Sequence, residues 1–255
     1  LAAKFLPGDS RKEEHFKFDL WGNLLFALAA AMLLLGLSAE QAINLDLVSL
    51  GLICLLIFYL VERKHPYPLL DMELFRVKPF IYGNIMSFAS YATQTAAIFL
   101  TPFYMEKLLQ LSPAASGLMM TITPVSMAIT APLAGNLSDR VGATRLTSFA
   151  FLLMSGGHFM LSTLNGHYDL IRIAAGLLLL GVGMGSFGSP NNSSILGSIP
   201  RDKAGYAGGF IATVRNFAFA LGIAASVTIF TLILSSKASV LSYGAAYVAA
   251  NAWLY

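Results

Sequence analysis

The run from Leu24 to Leu37 contains only apolar or small residues, so a helix built from it has no face to turn to water. Similar segments recur along the chain at 20–38, 44–61, 80–105, 113–137, 146–164, 169–198 and 204–234, each bounded by charge, Pro or Gly, and another begins at Tyr243. A helix needs roughly 20 apolar residues to cross a bilayer. The runs are too long for barrel strands and lack strict alternation. In lipid, backbone polar groups must be satisfied within the segment, and a helix does this. The pattern predicts an all-α, polytopic membrane helical bundle with seven complete transmembrane helices and a truncated eighth. Composition agrees. The 255 residues are 56% hydrophobic and 11% charged, with mean hydropathy +0.70, where a soluble domain carries about 25% charged residues.

Charge placement predicts orientation. Lys4, Arg11, Lys12 and Lys17 precede the first span, and Arg63, Lys64, Arg76 and Lys78 follow the second. Arg140 and Arg145 follow the fourth, and Arg201 and Lys203 the sixth. The alternate loops hold only Lys107, Arg172 and Lys237. By the positive-inside rule, the connector 1–19 and the loops 62–79, 136–146 and 199–204 are cytoplasmic. The expected location is a cell membrane, the bacterial inner membrane, with the lipid bilayer as the first partner. Trp21 stands where an interfacial aromatic belongs. The chain begins at Leu1 and ends about a dozen residues into its last apolar segment, which reads as a fragment of a longer protein.

Several chemistries are excluded or weakened. No basic stripe exists for nucleic acid. The single Cys54 lies in an apolar run and cannot form an intramolecular disulfide, and the four histidines share no metal-ligand spacing. No metal site and no bound cofactor are therefore expected. Gly183-x-Gly185-x-x-Gly188 matches a dinucleotide fingerprint formally, but it lies inside a long apolar helix rather than in a strand-to-helix turn. Gly181 to Gly185 fits close helix packing instead. An intramembrane serine hydrolase needs nucleophile and base on facing helices, whereas Ser155, His158 and Ser162 share one span. The chain does not read as an enzyme.

One charged stretch stands out among the apolar runs. Gly135-x-x-x-Asp139-Arg140-x-Gly142, followed by Arg145, forms a tight charged turn between two spans. It resembles the loop signature of the major facilitator superfamily, although Ala143 and Thr144 stand where basic residues usually follow the second glycine. Leu69-Leu-Asp-Met-Glu-Leu-Phe-Arg76, after Pro66 and Pro68, resembles the segment before the ninth helix of fourteen-span drug/proton antiporters in that superfamily. Phe18-Asp-Leu-Trp-Gly22 is similar to the entry of that group's first extra central helix. The stretches Gly181 to Pro190 and Gly205 to Gly222 resemble its twelfth and thirteenth helices. The resemblance covers the whole chain as helices seven to fourteen. It implies that 20–61 are the two extra central helices and 80–255 an incomplete carboxy-terminal transporter half. It also implies alternating access around a central cavity, with the missing amino-terminal half as partner and a proton gradient as energy source.

Candidate site residues follow from charge and periodicity. Gly135, Asp139, Arg140, Gly142 and Arg145 are a gating loop, or else an ordinary solvated turn whose exposed ion pair contributes about 0–1 kcal/mol. Asn84, Ser87, Tyr91 and Gln94 share one helix face, either as the wall of a substrate cavity or as interhelical hydrogen-bonding groups. Arg215 is the one Lys, Arg, Asp or Glu well inside a complete span, beside Asn216. It is a site candidate, or a side chain snorkelling to the cytoplasmic surface. Asn191 and Asn192 follow Pro190, which either bends its helix at the cavity or begins its exit. Pro124 and Pro132 suggest kinks in the fourth span, and His158 is a packing residue or a proton relay. These features lead to a secondary active exporter of small amphipathic compounds, a proton-coupled multidrug antiporter. The alternative is a transporter of a sugar, peptide or organic anion.

Overall fold

The computed structural model describes residues 19–37, 44–63, 73–167, 169–238 and 243–254. Residues 1–18, and with them most of the expected connector, lie outside the described residues, as do Pro66, Pro68 and the start of the Leu69–Arg76 segment. The helices are α1 (Leu20–Leu37), α2 (Leu45–Glu62), α3 (Lys78–Phe103), α4 (Pro113–Met120), α5 (Ile122–Val141), α6 (Ala143–Ser162), α7 (Leu170–Gly197), α8 (Ala204–Ala238) and α9 (Tyr243–Leu254). Among the described residues there is no strand. Local chemistry sets several starts. Asn44, Ser112 and Asp169 cap α2, α4 and α7 by accepting the N–H of Leu47, Ala115 and Arg172, which satisfies donors that a helix end leaves free.

Four stretches, Leu45–Glu62, Pro113–Val141, Leu170–Gly197 and Arg201–Lys237, are long and apolar enough to cross a membrane, and Trp21–Leu37 is shorter. α3 and α6 occupy the other expected positions but carry more polar side chains, several of which the bundle buries. Leu24, Leu28 and Leu35 on α1 and Leu52, Ile53, Leu56 and Ile57 on α2 are exposed. Apolar surface of that extent suits lipid rather than water.

The prolines act differently from one another. Pro124 has no N–H and its ring clashes with the carbonyl four residues back, so the fourth span divides at Thr121 into α4 and α5. Pro132 lies within continuous helix. Pro190 is likewise internal to α7, which continues to Gly197. It therefore does not begin the helix exit, one of the two outcomes its position allows.

The centre of the bundle is α7, which packs between α5 and α6. Its glycines face both ways. A Cβ on Gly181 would collide with Ser126 and Thr123, and one on Gly185 with Thr130 and Met127, all on α5. A Cβ on Gly183 would fall 2.6 Å from Met154 Cγ on α6. The main core joins Ala97 and Tyr104 with Ala150, Met154, Leu161, Leu177, Leu180 and Phe187. A smaller core at the other end joins Leu74 and Phe80 with Ile195, Ile199, Ala207 and Ile211. Phe75 packs edge-on against Phe80 and Phe210 there, and Glu73 pairs with Lys203. The Leu69–Arg76 segment thus ends by plugging Leu74 and Phe75 between the ends of α3, α7 and α8.

Candidate functional site

The α3 polar stripe splits between two neighbours. Asn84, Ser87 and Gln94 are buried, while Tyr91 is half-buried. Across the seam, Asn191 of α7 donates through Nδ2 to Ser87 Oγ at 2.8 Å and to the Gly83 carbonyl at 3.0 Å. Asn84 donates to the Phe80 carbonyl on its own helix at 2.8 Å. Ser87 is therefore engaged with Asn191 in an interhelical hydrogen bond, the kind of contact that was one alternative for the α3 stripe. Polar locks of this kind in membranes contribute about 0.6–2 kcal/mol.

Tyr91 turns instead to α8, with its ring 5.2 Å from that of Phe219. One turn away on the same helix face stands half-buried Arg215. Phe88 and Phe217 meet at 6.4 Å in the same seam, and Asn216 is exposed beside them. The structure thus pairs Tyr91 with Phe219 and Phe88 with Phe217, with Arg215 one turn from Phe219 and Asn216 next to it in sequence. These phenylalanines were hidden among the 18 of the chain. The alternation in Asn216-Phe217-Ala-Phe219 beside the intramembrane arginine was the available signal. Neither α3 nor α8 contains an Asp or Glu. The seam therefore has aromatic faces, an arginine one turn away and no carboxylate on either helix.

Asn192 is half-buried on α7 beside the lock. The expected turn Gly135–Arg145 is mostly helix. α5 runs through Asp139 and Arg140 to Val141, α6 begins at Ala143, and Gly142 alone is the joint, at φ 90 and ψ 142. Asp139, Arg140 and Arg145 are exposed and form no ion pair among the described residues. The charge density of the stretch suggested a loop, but only Gly142 has a backbone that a helix cannot accommodate.

Beside that joint, the first turn of α6, the start of α3 and the end of α7 enclose a cleft of about 370 Å³. Lys78, Tyr82, Thr144, Thr147, Asn191 and Ser194 are among its lining residues. Asn191 thus links the cleft to the α3–α7 seam. Among the described residues no group of His, Cys, Asp and Glu gathers to hold a metal ion.

The architecture of packed apolar helices with a glycine joint between α5 and α6 has a clear sequence counterpart. Residues 18–223 match the Major Facilitator Superfamily. The chain belongs to that superfamily. It is 39% identical to the riboflavin transporter RibZ of Clostridioides difficile over 98% of this chain and 55% of that protein. It is 33% identical to the uncharacterized transporter YebQ of Escherichia coli over 84% of this chain and 48% of the other. It is 31% identical to the multidrug transporter protein MdtP of Bacillus subtilis over 66% of this chain and 32% of the other. The chain spans about half the length of these first two relatives. Membership makes it part of a multi-pass membrane transporter and sets aside the intramembrane-enzyme reading.

Proposed function

We propose that the full-length protein is a secondary active transporter that moves small amphipathic aromatic solutes by alternating access, coupled to protons. The observation that carries this reading is the α3–α8 seam, where Tyr91 and Phe219 meet at 5.2 Å one helical turn from Arg215. A planar ring can stack on these aromatics while the guanidinium meets a carbonyl or anionic edge, a contact Arg makes better than Lys. Asn216 supplies an amide beside it, and Asn192 lies nearer the Asn191 lock. Ser87 and Asn191 then tie α3 to α7, and Asn84 and Gln94 are buried on α3 rather than lining an open wall. The charged stretch Gly135, Asp139, Arg140, Gly142 and Arg145 acts as a gate with the half of the transporter that this chain lacks, on the cytoplasmic side. Residues 20–61 serve as the extra central helix pair, and the proton-titrating carboxylate belongs to the other half.

Two solute classes fit, and each has a relative behind it. Multidrug export follows the similarity to MdtP. Flavin transport follows the stronger similarity to RibZ, and the absence of Asp and Glu from α3 and α8 favours it over cationic dyes. Everted vesicles containing the full-length protein, given an imposed pH gradient, separate the two. The reading predicts gradient-dependent movement of riboflavin or ethidium. Arg215→Gln is expected to slow riboflavin transport at least tenfold without changing the melting temperature. Fluxes of both solutes that ignore the pH gradient would remove the coupling claim, and an unaffected Arg215→Gln would remove the site.

A further inference from the structure

The face of α3 that brings Gly83 and Ser87 to α7 continues as a ridge at spacings of three and four residues through Ser90, Gln94, Ala97 and Thr101 to Tyr104 just past the helix end. Its ends are well matched. Gly83 and Ser87 meet Asn191, and Ala97 and Tyr104 join the apolar core with Leu177 and Leu180. The middle is different. Ser90 Oγ and Gln94 Oε1 have no hydrogen-bond partner among the described residues, although the residues are only 1% and 4% exposed, and Asn84 Oδ1 at 5% is the same. An unsatisfied buried polar atom is destabilising, and in a membrane span no bulk water relieves that cost.

Ser90 and Gln94 stand four apart, so their Cβ atoms are about 6 Å from each other on one face. A single water reaches both, donating to Gln94 Oε1 while exchanging a hydrogen bond with the Ser90 hydroxyl. A supply route is at hand. The cleft beside the Gly142 joint is lined by Gly83, where the ridge begins, and by Asn191 opposite it, and Asn84 follows Gly83 directly. From Asn84 to Gln94 the helix rises about 15 Å. We propose that the α3–α7 seam is a built water site: one water bridges Ser90 Oγ and Gln94 Oε1, a second sits on Asn84 Oδ1, and both exchange through the cleft beneath Lys78 and Tyr82. Both partners of the bridging water lie on α3, so the water satisfies that helix's own buried groups, and Asn191 remains the direct polar tie to α7.

The test uses the full-length protein in a cysteine-free background with single cysteines introduced on the ridge. A cysteine reacts as thiolate, which needs a hydrated setting. Ser90→Cys and Gln94→Cys are expected to react with a water-soluble methanethiosulfonate at least fivefold faster than Ala97→Cys, which lies on the same ridge inside the apolar core. A ratio below fivefold overturns the proposal. If either variant fails to fold, a cryo-EM map of the unsubstituted full-length protein decides. A water-sized peak within hydrogen-bond distance of both Ser90 Oγ and Gln94 Oε1 supports the site. A side chain from the other half, a lipid chain, a solute group or no peak at that position overturns it.

Discussion

Gly135 and Gly142 belong to one motif but serve different needs. Gly142 lies at φ 90 with nothing within 4 Å of an added Cβ, so space is free and the backbone alone demands glycine. Gly135 is ordinary helix, where an added Cβ would meet Ser189 Oγ at 3.4 Å. Gly142→Ala is therefore expected to destabilise the full-length protein by about 1–3 kcal/mol. Gly135→Ala gains about 1 kcal/mol of helix propensity and loses little contact, so it should be neutral or slightly stabilising. Thermal melting in detergent separates the two, and equal losses would contradict this division. Asn191 gives a second residue-scale prediction. A double-mutant cycle of Asn191→Ala with Ser87→Ala should return a coupling of about 0.6–2 kcal/mol, whereas additive losses would mean the 2.8 Å bond contributes nothing. That lock was only half legible in the sequence. Spacing placed Ser87 on a polar face, but its partner lies 104 residues away, and periodicity along one helix says nothing about which neighbour it meets.

At the scale of elements, apolar length and proline positions carried most of what could be read. The spans were legible because lipid forbids unpaired backbone and imposes a length. The division at Thr121 was not placed in advance, since a proline marks a disturbance without saying whether a helix bends or breaks. The glycines of α7 were legible as packing residues from their spacing, although not that alternate members face opposite neighbours. That arrangement leaves no slack on either side. Gly185→Leu should force α5 and α7 apart and cost about 1–3 kcal/mol by overpacking, read as a lower melting temperature. Gly188→Leu, where nothing lies within 4 Å of an added Cβ, should cost much less in the same measurement. Comparable losses at both positions would contradict the close α5–α7 contact. The charged stretch before Arg145 misled in the other direction. Its Asp and Arg pair suggested a loop, yet charged residues at a membrane surface are compatible with the last turn of a helix, and α5 continues through them.

For the whole molecule, the chain is a bundle organised on α7, with a hairpin of α1 and α2 resting on α8 through Thr228, which donates to the Leu37 carbonyl. The family was legible from an ordered set of motifs. The solute was not, because the aromatic and cationic groups that meet at the α3–α8 seam are scattered in sequence from Phe88 to Phe219. That seam is proposed to serve a proton-driven transporter of aromatic solutes. The most direct measurement reconstitutes the purified full-length protein in liposomes and follows riboflavin and ethidium under an imposed pH gradient. Movement of one of them to a concentration above equilibrium, collapsing when a protonophore dissipates the gradient, is the predicted result. Simple equilibration of both solutes at a rate indifferent to the gradient would contradict it.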